Sequence, residues 1–122
     1  MKEILFVFLG GGFGSISRYG IHLLIGNKGV AGAFPWSTFC VNIVGSFLIG
    51  FFFTLSSRYH LSPETRLLLT VGFCGGFTTF STFSNECLSL LKDGFYGMFA
   101  LYMAGSIFLG ILAVWAGVLM GK

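Results

Sequence analysis

Four long apolar blocks, each close to the ~20 residues that an α-helix needs to cross a hydrocarbon core, constrain this chain more than any other feature. They run approximately over residues 4–25, 36–55, 67–91 and 95–120 and leave almost no sequence for a soluble domain. The connections are GNKGVAGAFP, a glycine-rich turn closed by Pro35 at a helix start; SSRYHLSPETR, the most polar stretch; and the short KDG. Composition agrees, since 55% of the 122 residues are hydrophobic and 9% charged. The expected class is an all-α membrane protein, a single transmembrane domain of four helices. The opening MKEILFVFLGGGFGS has the look of a signal peptide, but its apolar run is short and hydrophobicity resumes beyond Arg18 without a convincing cleavage site. A first membrane helix is expected there instead.

An even number of helices puts both termini and the second connection on one side, with Lys2, Arg58, Arg66 and Lys122. The opposite side holds Lys28 and Lys92, with Arg18 late in the first helix and nearer to them. That distribution gives a weak preference for cytoplasmic termini, and its near balance permits insertion in both orientations, hence an antiparallel homodimer. The basic residues stand singly and form no nucleic-acid patch. Cys40, Cys74 and Cys87 fall in apolar blocks without metal-ligand spacing and read as reduced, buried thiols. The GGGFGS run lacks the preceding strand and following acid of a dinucleotide fingerprint, and no Ser–His–acid set or metal-ligand cluster points to an enzyme.

The 19 glycines concentrate within the helices, where small residues let neighbours pack closely in lipid. Polar residues recur on single faces. In the first block Gly10, Gly14 and Arg18 follow at i, i+4, and Arg18 is either an arginine snorkelling to the interface or a fixed charge drawing anions into a vestibule. His22, one turn on, is expected at the interface. In the second block Thr38, Asn42, Gly45 and Ser46 form a stripe; Asn42 either bonds between helices or faces an ion path. In the fourth, Tyr102, Ser106 and Gly110 share a face.

The third block is the irregular one. Val71 to Glu86 reads VGFCGGFTTFSTFSNE, with Gly75 and Gly76 at mid-block, five hydroxyl residues interleaved with phenylalanines, and a carboxylate. A break at the glycine pair would free carbonyls that suit a small cation such as sodium; a kinked helix whose hydroxyls bond back to i−4 carbonyls is the plainer account. Beyond it Phe80 and Phe83 share a face beside Thr79, Thr82 and Glu86. Aromatic edges with Ser, Thr and Asn donors can coordinate a small anion, although such a stripe also serves packing. Glu86 reads as either an interfacial carboxylate or a vestibule group.

The segments GGGFGSISRY, VNIVGSF and GFCGGFTTFSTFSNE, in that order across the first three blocks, resemble the signature blocks of the Fluc (CrcB) fluoride channels. That resemblance implies a dual-topology antiparallel homodimer with a broken third helix, two fluoride pores and a structural sodium ion (Na+) held at the dimer centre by backbone carbonyls. By motif position it implies Gly75 and Thr78 as the carbonyl donors, Phe80 and Phe83 as pore phenylalanines and Asn42 as the pore amide. Ser81 and Thr82 would be nearby hydroxyl donors, with Thr38 joining the pore set. Tyr102 and Ser106 would form the polar track of the fourth helix, and Arg18 and Glu86 would belong to the vestibule. Where family members can carry a second serine on the fourth helix, this chain has Gly110, which leaves either a water or a shorter pore at that end.

The implied activity is passive, selective fluoride export across a bacterial inner membrane, conferring fluoride resistance, with the lipid bilayer, fluoride and a second copy of the chain as partners. A proton-coupled multidrug transporter of similar length should carry a carboxylate inside its first helix, whereas Glu3 sits at the tip and the intramembrane charge is Arg18. A purely structural subunit would explain the glycines and stripes but would not conduct.

Overall fold

The computed structural model describes residues 1–26 and 32–122, so half of the GNKGVAGAFP connection, Lys28 included, lies outside the described residues. Helix α1 spans Lys2–Ile25 and α2 Trp36–Tyr59. The third crossing is composite: a short helix α3 (Pro63–Leu67), a π-helical stretch Leu68–Cys74, the single turn α4 (Gly75–Phe77), an extended interruption, and α5 (Ser81–Lys92). Helix α6 spans Tyr96–Gly121. All four crossings are long and apolar enough to traverse a bilayer, and there is no strand among the described residues.

The polar connection is shorter than the sequence implied. Helix α2 continues four residues past Leu55 to Tyr59, and the next helix begins at Pro63 rather than near residue 67. Local chemistry explains the economy. His60 takes a left-handed conformation that ends α2, and Ser62 caps α3 by accepting from the Thr65 N–H, with Pro63 at the first helical position where a missing N–H costs nothing. At the other end Gly94, with φ of 84°, makes the turn between α5 and α6.

Packing divides the molecule into two parallel pairs. One is α1 against α3, the π-helical stretch and α4; the other is α2 against α6. Glycine sets both distances. A Cβ added at Gly10 would come 2.9 Å from the Phe73 nitrogen, and one at Gly14 would come 2.8 Å from the Phe77 nitrogen. On the second seam, a Cβ at Gly117 would lie 2.9 Å from the Phe51 nitrogen, and Gly50 rests on the backbone of Val114. With lipid as apolar as the side chains, this close backbone approach is what holds neighbouring helices together.

The interruption changes the chain's partner. Upstream of it the third crossing lies along α1; downstream, α5 touches α6 and α2 and makes no contact with α1 among the described residues. The break therefore carries the chain from one pair to the other in the middle of the membrane.

Candidate functional site

The interruption falls at Thr78–Phe80, just after the glycine pair and not on it: Thr78 is extended (φ −85°, ψ 163°), while Gly75 and Gly76 remain helical. The glycines serve approach instead, since a Cβ at Gly76 would meet the Gly11 backbone of α1. What opens the helix is a side chain from elsewhere. Asn42 of α2 accepts from the Thr79 N–H through Oδ1 at 2.8 Å and donates through Nδ2 to the Thr79 carbonyl at 3.1 Å. One amide thus replaces both hydrogen bonds that a continuous helix would give Thr79, which removes the cost of exposing them in a medium without water.

Neighbouring groups complete the arrangement. Thr78 Oγ1 bonds back to the Cys74 carbonyl at 2.9 Å, as in the plainer account of the glycine region. Thr79 Oγ1 accepts from the Thr82 N–H at 3.2 Å and so caps the start of α5. The guanidinium of Arg18, on the same α1 face as the buried Gly10 and Gly14, donates through Nε to the Gly76 carbonyl at 3.1 Å. Three carbonyls are left over, those of Gly75, Phe77 and Thr78; the Ser81 N–H, the usual helical donor to Phe77, makes no bond to it. The donor that would normally reach Gly75 is the Thr79 N–H, now held by Asn42, and the donor for Thr78 is the Thr82 N–H, now held by Thr79 Oγ1. None of the three accepts a hydrogen bond among the described residues.

A groove of about 600 Å³ runs beside the break between α2, the π-helical stretch and α6. Its polar walls are Asn42, Ser46, Thr78, Thr79 and Ser106; Phe80 and Phe83 stand at its edge with centroids 6.1 Å apart. No residue that lines it carries a charge. Phe80 is 79% exposed, whereas Phe83 packs on Tyr102 with centroids 5.0 Å apart. Ser81 is exposed next to Phe80, and Thr82 is half-buried.

The remaining polar residues gather one to two turns away. Glu86 of α5 accepts from Thr38 Oγ1 at 3.0 Å and from the Tyr102 hydroxyl at 2.8 Å, tying α2, α5 and α6 into one hydrogen-bonded cluster. Thr38 and Tyr102 are both buried. His22 lies exposed near the end of α1, stacked on Tyr19. Ser106 differs from all of these, because its hydroxyl is buried and has no partner among the described residues. The three cysteines are free; Cys74 and Cys87 are buried and Cys40 is half-buried.

The structure thus brings Asn42, Thr78, Phe80, Phe83 and Ser106 to one groove and places Thr38, Glu86 and Tyr102 in an adjoining cluster. Arg18 meets the break from the α1 side, away from the groove. Two contributors were not singled out from the sequence as site residues: Thr79, whose backbone is the object of the Asn42 clamp, and Ser46, one turn below Asn42 on the same wall. The signal for Ser46 was present in its i+4 spacing from Asn42. For Thr79 the signal was its place just past the glycine pair, in the stripe with Thr82 and Glu86.

Comparison with known proteins bears on the same residues. The family described as CrcB-like protein, Camphor Resistance (CrcB), matches residues 5–118. A Bacteroides fragilis protein named fluoride-specific ion channel FluC is 58% identical over 125 residues, covering 100% of this chain and 98% of the relative. Proteins of the same name from Phocaeicola vulgatus and Thermus thermophilus are 55% and 50% identical, covering 100% and 99% of this chain and 100% and 96% of the relatives.

Proposed function

Because the chain belongs to the CrcB family, a multi-pass membrane family of transport proteins and not of enzymes, we propose that it is a fluoride channel and that the groove beside the broken helix is part of its ion path. The observation that carries this reading is the chemistry of the groove: at mid-membrane, neutral donors and phenylalanine edges converge without one charged side chain. A lysine there would hold an anion in a deep electrostatic well. Amide and hydroxyl groups with aromatic edges bind more weakly and let it leave. A small anion that accepts strong hydrogen bonds gains more from such donors than larger halides do.

In this reading the flux is passive and outward from a bacterial cytoplasm, across the inner membrane, and confers resistance to fluoride. Glu86, with the Thr38 and Tyr102 hydroxyls that donate to it, lies beyond the groove toward the approach to the path; Ser81 and Thr82 offer hydroxyls beside Phe80 and Phe83; and Arg18 acts on the break from the α1 side. The working unit is an antiparallel homodimer. Its support is the near-even distribution of basic residues, together with a groove and a Phe80 ring that one copy leaves open.

A sodium ion at the dimer centre fits the donor set. Gly75 and Thr78 would hold it through two of the three carbonyls left without hydrogen bonds at the break, and Gly75 is exposed. Hard oxygen donors suit a small cation, and no group of three His, Cys, Asp or Glu residues could hold a metal among the described residues. Such an ion supplies a fixed positive charge near the path and a bond between two broken helices.

Efflux from proteoliposomes containing the purified protein tests the function. Fluoride should leave much faster than chloride; equal rates, or no fluoride flux, overturn the reading. Exchanging sodium for a bulky organic cation should lower the thermal stability of the dimer, and an unchanged melting temperature would remove the sodium assignment.

A further inference from the structure

We propose that Ser46 supplies the donor step that follows Ser106 along the groove, from the α2 wall and opposite the bare face of Gly110. Hydroxyls within a membrane helix normally satisfy themselves by bonding back one turn. Thr54 does so to the Gly50 carbonyl, Thr70 to Arg66 and Thr78 to Cys74. Ser46 and Ser106 do not: Ser106 Oγ is buried without a partner, and the Ser46 hydroxyl makes no hydrogen bond among the described residues. Both open into the same groove. A buried hydroxyl without a partner and an open one in the same membrane cavity suit an occupant that accepts hydrogen bonds, a small anion or the water that accompanies it.

The register of the parallel pair α2 and α6 places the two steps in sequence. Gly50 meets Val114, and one turn earlier Ser46 meets Gly110, whose added Cβ would have Ser46 Oγ as its nearest neighbour at 3.7 Å. Carried back another turn, the same register sets Asn42 level with Ser106. The groove therefore offers an amide and a hydroxyl at one level and the Ser46 hydroxyl about 6 Å further on. Position 110 brings no side chain of its own against the Ser46 hydroxyl.

The assignment rests on the reading of the groove as a fluoride path. The test measures fluoride and chloride efflux from proteoliposomes for the unaltered protein, Ser46→Ala, Gly110→Ser and the double variant, each checked by size-exclusion elution. Ser46→Ala should lower fluoride flux by about tenfold, the effect of losing one hydrogen bond to an ion. Gly110→Ser in that background should restore most of it, because its hydroxyl enters the same space from the opposite wall. Unchanged flux in Ser46→Ala overturns the proposal while leaving the channel reading intact, and so does a loss that Gly110→Ser fails to repair. Absence of fluoride flux in the unaltered protein overturns both.

Discussion

The two halves of helix α2 use similar residues to opposite ends. Toward its C-terminus, Gly50 lies against the Val114 backbone, and Thr54 bonds back to the Gly50 carbonyl. Arg58, at the end of the helix, donates to the Gly121 and Lys122 carbonyls, and the rest of the seam with α6 is held by backbone approach. Toward its N-terminus, Thr38 and Asn42 send their hydrogen bonds across to Glu86 and Thr79, and Ser46 sends none. The difference separates packing from function in a bilayer. Within the membrane-spanning part of α2, Thr54 satisfies itself on its own helix and stays out of the groove, whereas Asn42 reaches across to the break and Ser46 opens into the groove.

The largest effect that would break this comparison is at Asn42. Replacing it with Ala strips Thr79 of both backbone partners in a water-poor region and should destabilise the protein by about 2–4 kcal/mol, with fluoride efflux falling to the liposome background. Thermal unfolding in detergent and proteoliposome efflux measure the two losses. Stability close to wild type would mean that the break persists without its clamp.

Next is the seam. Gly117→Val drives a side chain into the Phe47 and Phe51 backbone and should cost about 1–3 kcal/mol. Here the ratio of fluoride to chloride flux should stay unchanged in whatever fraction still folds, since the seam does not line the groove. A change in selectivity would show that seam and groove are not separable.

Replacing Phe80 and Phe83 together with Ile removes the ring edges and keeps apolar bulk. Flux should vanish while the elution profile holds; unchanged flux would reduce these rings to packing. The smallest effect is expected for Thr54→Val, which deletes only a bond to its own helix and should shift stability by less than about 0.5 kcal/mol with no change in efflux. Thr54 and Ser46 are thus a matched pair of hydroxyls on one helix, one silent and one needed.

Some of this was legible in the chain. Apolar run length determined the four crossings, because about 20 apolar side chains at the helical rise match the hydrocarbon thickness and a helix satisfies its own polar backbone there. Helical periodicity placed Thr38, Asn42 and Ser46 on one face, and the crowding of hydroxyls, phenylalanines and Gly75–Gly76 marked the third block as irregular. The exact break was not legible. The glycine pair pointed to residues 75–76, yet the helix opens at 78–80, because the residue that opens it, Asn42, is far away in sequence and only the packing of α2 on the third crossing brings it within reach. Glu86 shows the same: as a lone carboxylate it had two readings, and only the approach of Thr38 and Tyr102 from two other helices gave it partners.

Local periodicity, then, determined which residues share a face and how many times the chain crosses. Which of those faces meet, and so which hydrogen bonds leave the Gly75 and Thr78 carbonyls and the Ser106 hydroxyl without partners, was decided only by the tertiary structure. The reason is physical: a backbone group loses its helical partner only when a stronger or better-placed one arrives from another helix, and that arrival depends on glycine-set distances between helices that no single segment contains.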